Sequence, residues 1–312
     1  MKALTGKVDL GIWAALGSAV LWGALPLYWS LLRDVSPVVI VCQRIIWSLV
    51  FLLPLVILTG RMGELAKALR DARILRAFFC SSLIIAMNWG LYIWAVNTGR
   101  VVEASLGYFI SPLITICMGV ALFRDRPSRA RWAAIILAAS GIIAEICING
   151  AVPWSGLGIS ATFSTYALLR KLEPVESLPG LTLEMVILFP FALAFALWQH
   201  YASGPAIWGG NLRETLLLMG TGVVTSVPLI LYAYGARHLS FMTLGILQYL
   251  APTLTALIGF FIFMEPATSG RLVSLTVIVA ALVIYTADSF RAQAPAGEKS
   301  VRGKDGGESG EP

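Results

Sequence analysis

Charge is scarce in this chain of 312 residues: only 13% are Asp, Glu, Lys or Arg, where a soluble globular protein carries about a quarter. Apolar residues reach 58% and the mean hydropathy is +0.80. So few charges cannot coat the surface against water, so lipid must solvate most of it. This excludes an ordinary cytosolic enzyme, a disordered chain and a nucleic-acid binder. The net charge of +6 and the pI near 9.3 have another origin, given below. Histidine is scarcer still: His200 and His238 stand near the ends of apolar segments and offer no material for a metal cluster. Cys42, Cys80, Cys117 and Cys147 lie singly, without the CxxC spacing of a zinc site, and read as small buried residues rather than disulfides. P-loop and G-x-S-x-G motifs are absent, which weakens pump and hydrolase readings. Gly156 to Ala161 fit a dinucleotide-type G-x-G-x-x-A string, but no strand or βαβ unit precedes it. No cofactor and no metal are expected.

What the chain has in abundance is long apolar runs. About 20 residues are needed to cross the hydrocarbon core. That ruler gives ten candidate spans, at 10–32, 37–59, 74–97, 102–123, 132–149, 155–170, 180–198, 214–236, 241–263 and 271–290. The sixth is the shortest and is diluted by Ser155, Ser160, Thr162, Ser164 and Thr165. The first is too long, and too poorly flanked by a cleavage site, for a signal peptide. Connections leave no room for a soluble domain, and residues 291–312 read as a disordered cytoplasmic tail. With the N-terminus inside, 18 of the 23 Lys and Arg residues fall in inside segments. Four fall outside (Arg33, Arg100, Arg213 and Arg271), and Arg44 lies within a span. By the positive-inside rule this asymmetry places both termini in the cytoplasm and accounts for the basic pI.

A shift of 140 residues lays the third span on the eighth and the fourth on the ninth without a gap. Tyr92 falls on Tyr232, Pro112 on Pro252, Thr115 on Thr255, Gly119 on Gly259, Phe123 on Phe263 and Asp125 on Glu265. A shared mid-helix proline and a shared Phe-x-acid ending are hard to obtain by chance. Each half, 10–149 and 155–290, then holds five helices. An odd number inverts the second half in the membrane, a recurrent transporter design with its site near the midplane. The fold class is therefore an all-α integral membrane protein of ten helices in two inverted five-helix repeats.

The stretches WGALPLYW (22–29), QRIIWS (43–48), NWGLYIWAVN (88–97), EASLGYFISPL (103–113) and TLGILQYLAPTL (243–254) carry a family resemblance. In order and spacing they resemble the RarD, or chloramphenicol-sensitive protein, group of the EamA family, within the drug/metabolite transporter superfamily. The resemblance covers about residues 10–290 and implies an inner-membrane bacterial permease built from two EamA units. One departure is visible: where the family commonly shows Gly-Glu-Arg after the fourth span, this chain has Arg124, Asp125 and Arg126.

Candidate site residues follow from polarity at depth. A proline inside a helix leaves the carbonyl four residues earlier unpaired, so Pro112 and Pro252 free those of Tyr108 and Gln248. Backbone polarity at this depth faces protein or a water-filled cavity rather than lipid. Asn88 and Tyr92 share a helix face, with Pro228 and Tyr232 as counterparts; Trp22 with Pro26, and Thr162 with Tyr166, repeat that spacing. One central cavity, aromatic and poor in formal charge, is expected from Trp22, Pro26, Asn88, Tyr92, Tyr108, Pro112, Tyr166, Tyr232, Gln248 and Pro252. Such a lining suits an amphipathic or aromatic solute better than a polyanion. Arg44 needs a partner, with Glu103 and Glu145 at the same depth; it reads either as a packing ion pair or as a group serving solute or gate. Glu184, its counterpart across the repeat, lies in the opposite leaflet. Glu103, Glu145 and Glu184 are candidates for proton coupling. Ala15, Ala19 and Gly23 mark close helix packing.

The function these features favour is secondary transport of a small organic metabolite or drug-like solute by alternating access. The alternatives are a membrane-embedded enzyme acting on a lipid-linked substrate and a non-transporting sensor. The expected partners are the solute and the bilayer, with no nucleic acid; a homodimer is compatible with the sequence, though no residue pattern calls for one.

Overall fold

A computed structural model describes residues 2–98, 101–149, 154–203 and 208–264, together with scattered positions between 273 and 288. Among the described residues the regular structure is entirely helical. The helices are α1 Lys2–Trp29, α2 Pro37–Leu58, α3 Met62–Arg70, α4 Ala72–Asn97, α5 Val101–Phe123 and α6 Arg129–Asn149. They continue with α7 Trp154–Leu172, α8 Ser177–Ser203, α9 Leu212–His238, α10 Phe241–Gln248 and α11 Leu250–Phe261. A 3₁₀ turn, Ser30–Leu32, follows α1.

Local chemistry sets several boundaries. Pro37 opens α2 behind Ser36, where its missing N–H costs nothing. Past the end of α2, Gly60 takes φ 69°, and the Arg61 N–H reaches back to the Val56 carbonyl at 2.9 Å, closing the last turn. Asn211 caps α9 by accepting from the Glu214 N–H at 2.9 Å, while the Glu214 carboxylate accepts from the Gly210 N–H at 2.8 Å. The ninth span is broken in two at Tyr249, whose N–H turns to the Ile246 carbonyl at 3.1 Å. The break is where Pro252 withholds the N–H that the Gln248 carbonyl would need.

Seven of the described helices are long and apolar enough to cross a membrane: Val8–Leu32, Pro37–Leu58, Ala72–Tyr92, Arg129–Ile148, Ser177–Ala202, Leu212–His238 and Phe241–Phe261. Gly107–Phe123 is a shorter apolar helix. Exposed rows such as Phe79, Leu83 and Met87 on α4 repeat every four residues and form a lipid-facing stripe. The tenth candidate span falls largely, and the tail wholly, outside the described residues. α7 is not among the seven because of its hydroxyls, and those hydroxyls are all answered within protein. Ser160 donates to the Gly107 carbonyl at 2.8 Å, and Ser164 to the Ser111 carbonyl at 3.0 Å. Enclosed by α4, α5 and α9, this helix has less need of an apolar surface.

Three sequence expectations need correction. Residues 62–70, read as part of a connection, form the amphipathic helix α3, which buries Leu65 and Ala68 beside Val175 and Leu183. Glu64 in its first turn and Lys67 and Arg70 in its last suit the helix dipole. Of the cysteines only Cys42 is buried; Cys80, Cys117 and Cys147 are exposed on helix surfaces, and all four are free. Arg170, counted among the solvated inside charges, is wholly buried.

Packing exchanges the halves. α1 lies on α9, α10 and α11, and α7 lies on α4 and α5, while α2 meets α8 and α5 meets α10. Close approach sets some crossings: a β-carbon at Gly107 would stand 2.8 Å from the Gly156 carbonyl oxygen, and one at Gly222 would stand 2.3 Å from the Trp47 backbone.

Candidate functional site

Four helices converge on Arg44 at the end of the bundle where α1 hands over to α2. Arg44 lies two turns into α2, about 10 Å from its start at 1.5 Å per residue. Its guanidinium carbon is 5.2 Å from the ring centre of Trp29, the last residue of α1, and 4.8 Å from that of Trp89 on α4. Its Nε donates to the Thr225 hydroxyl on α9 at 2.9 Å. Among the described residues no carboxylate stands within ion-pair distance of it. An arginine at this depth costs about 2.5–3.5 kcal/mol by insertion scales. A desolvated cation–π contact returns up to about 2 kcal/mol, so two of them with a hydrogen bond offset that cost. The side chains of Glu103 and Glu145, expected as partners, lie outside the described residues.

Tyr92 and Tyr108 stand within electrostatic reach of Arg44, their rings 6.1 Å apart. Tyr92 is 38% and Tyr108 48% exposed. Their free ring surface and Arg44 border one space, the Arg44 chamber. Asn88, one turn before Tyr92, is buried and committed to α7: its Nδ2 donates to the Ile159 carbonyl at 2.8 Å and to the Thr162 hydroxyl at 2.9 Å. It holds the chamber wall in place.

Beyond the chamber the bundle is shut. Trp22, Phe163 and Tyr232 form a triangle of rings with centres 5.1 to 5.5 Å apart. Gln248 is buried and donates through Nε2 to the Tyr232 hydroxyl. Trp22 and Phe163 pack against two apolar clusters at once, that of α2, α4 and α8 and that of α9 and α10, so the plug is continuous across the bundle. Behind it lies an ionic cluster. The Glu184 carboxylate accepts from Ser81 at 2.7 Å and from Tyr166 at 3.0 Å, with Arg170 Nη1 at 4.0 Å. Arg170 pairs with Glu173 at 2.7 Å, and its guanidinium carbon is 5.2 Å from the Phe78 ring centre. Arg237 donates to the carbonyls of Glu173 and Val175, and Lys171 to those of Ala236 and Leu239 at 3.0 and 2.6 Å. At the surface of this end, Arg61 pairs with Glu176, and Glu64 accepts from the Glu176 N–H at 2.9 Å.

Tyr92 and Tyr108 keep exposed ring surface near Arg44, whereas Trp22, Tyr166, Tyr232 and Gln248 stand in the packed part: Gln248 donates to Tyr232, whose ring Trp22 contacts, and Tyr166 donates to Glu184. Pro112 and Pro252 are buried in helix crossings, and Pro26 sits half-buried inside α1. Arg44 adds a formal charge beside Tyr92 and Tyr108. Trp29, Trp89, Thr225, Phe163 and Arg170 escaped sequence reasoning. The pairing of Thr225 with Arg44 spans 181 residues, and no local spacing announces it.

A family model described as the EamA-like transporter family matches the chain twice, over residues 9–145 and 151–287. An uncharacterized transporter of Pseudomonas aeruginosa is 38% identical over 92% of this chain and 96% of its own length. Protein RarD of Streptomyces exfoliatus is 36% identical, covering 90% and 89%. Protein RarD of Escherichia coli is 33% identical, covering 91% and 96%. A solved crystal structure shares the fold with a TM-score of 0.70 at 17% identity, over 90% of this chain and 99% of the other.

Proposed function

The chain belongs to the EamA-like transporter family, a multi-pass membrane protein of bacterial type, and from that premise we propose that it carries a small organic solute by alternating access. The observation that carries this is the inequality of the two ends of the bundle. Around Arg44 the rings of Tyr92 and Tyr108 keep free surface, while at the other end the aromatic plug and the ionic cluster behind it are packed together.

Two inverted five-helix repeats, 10–149 and 155–290, make such inequality reversible, since exchanging the conformations of the halves moves the opening to the other side. Several features support that architecture. The family model matches twice in succession. Arg124 and Met264, the two non-glycine residues with positive φ among the described residues, at 56° and 53°, stand 140 positions apart at the ends of α5 and α11. Arg124 thus adopts the left-handed conformation that the glycine common in the family takes without strain. The exchanged packing of α1 and α7 fits the same symmetry. So do the reaches of Arg44 in α2 to α9 and of its counterpart Glu184 in α8 to α4.

With both termini cytoplasmic, the open end faces outward and the cluster of Glu184, Arg170 and Glu173 forms the inner gate. Proton coupling, where it operates, is assigned to Glu184, which Ser81, Tyr166 and Arg170 surround.

Counterflow in proteoliposomes, screened with a metabolite mixture and repeated with an imposed pH gradient, tests the function. Accumulation of labelled solute against its unlabelled pool is expected. Its absence across the mixture favours the enzyme or sensor alternatives.

A further inference from the structure

Resting on the transport reading, we propose that the chamber binds the acidic group of a monovalent organic anion, a carboxylate on an aromatic or amphipathic body, at the free edge of Arg44. The guanidinium is a planar fork of donors. Its Nε is occupied by Thr225, and its carbon stands over Trp29 and Trp89, which fix the orientation of the plane. The two Nη nitrogens have no protein partner among the described residues, and the chamber is the space they can reach. A carboxylate there accepts two parallel hydrogen bonds from a cation already held by Thr225 and two indole rings, the bidentate geometry in which Arg–carboxylate pairing is strong.

The walls set the rest of the solute. Trp29, Tyr92 and Tyr108 offer ring surface for an apolar body, and the tyrosine hydroxyls can donate to a second polar group on it. One cation balances one negative charge, and among the described residues no second basic side chain is placed beside Arg44. A phosphate dianion would therefore enter with an uncompensated charge. A cationic solute meets Arg44 directly and is excluded.

Three probes of one shape separate these cases: phenylacetate, its amide and phenethylamine, measured on the full-length protein by equilibrium dialysis and by counterflow. Phenylacetate is expected to bind at least ~10-fold tighter than the amide, the usual worth of hydrogen bonds to a charged group, and the amine not to compete. Arg44→Gln should erase the preference, and Arg44→Lys, which keeps the charge but loses the fork, should retain part of it. Should Arg44→Gln fail to fold, the order among the three probes on the wild-type protein decides alone. Equal binding of acid and amide, preference for the amine, or no binding of phenylacetate overturns the proposal. Counterflow of neutral solutes without acid preference removes the anion site and leaves transport standing; acid binding with no counterflow of any solute does the reverse.

Discussion

Arg44 and Arg170 are both arginines inside the bundle, and their surroundings stabilise them by different means. Arg44 rests on indole rings and a hydroxyl; Arg170 rests on two carboxylates, with Phe78 beside it. Removing one partner from a buried ionic cluster leaves uncompensated charge and costs about 3–5 kcal/mol. Arg170→Met is therefore expected to lower the thermal stability of the purified protein strongly, by an amount of that order. Adding Glu184→Gln to it should recover part of the loss, because one of the two orphaned charges disappears. A melting curve unchanged by Arg170→Met would show that the cluster does not hold the closed end together. Neither setting was legible in sequence: Arg170 beside Lys171 at the end of an apolar run looks like an ordinary inside charge. Asn88 and Tyr108, by contrast, stand out as polar groups in apolar runs; Asn88 is bonded to α7, and Tyr108 lies within electrostatic reach of Arg44.

At the scale of helices, contact is governed by where two backbones can approach. A β-carbon at Gly222 would lie 2.3 Å from the Trp47 backbone, which cannot move aside cheaply; one at Gly90 meets nothing within 4 Å. Gly222→Ala should force α2 and α9 apart and lower stability by about 1–3 kcal/mol, as overpacking does. Gly90→Ala should be neutral or slightly stabilising, since alanine favours a helix by about 1 kcal/mol over glycine. Comparing the melting temperatures of the two variants checks the pair, and equal effects would contradict the crossing. Hydropathy found the long helices because lipid demands apolar side chains over a fixed length. It could not see α3, too short and too charged, or the break at Tyr249, though Pro252 marked its neighbourhood.

For the whole molecule, the charge asymmetry predicts an orientation. Burial of Arg170 takes one residue from the inside count and leaves 17 against four. Asp288 accepts from Ser128 and pairs with Arg131, both at 2.9 Å, so the end of the last described segment lies on the same side as the α5–α6 turn. A cysteine at position 128 in intact cells should resist an impermeant thiol reagent added outside and react after permeabilisation. Outside labelling would reverse the orientation, and with it the side to which the Arg44 chamber opens. The stretch that the family model matches a second time was legible as a 140-residue shift because prolines and helix-end residues are tied to backbone geometry. Which helices pair across the two matched stretches was not, since contacts between distant segments leave no local spacing.

Two related halves, if identical, would place the two facings of the cycle at energetic parity. The contact of Arg61 and Glu64 with Glu176 joins the α2–α3 turn to the turn before α8, at the closed end only among the described residues. An exposed ion pair is worth about 0–1 kcal/mol and weakens with salt, so at most it tilts the resting population roughly fivefold. In the alternating-access cycle proposed above, a tilt of that size would set where the idle carrier waits without trapping it there, and would tie that waiting state to the ionic strength of the compartment the latch faces.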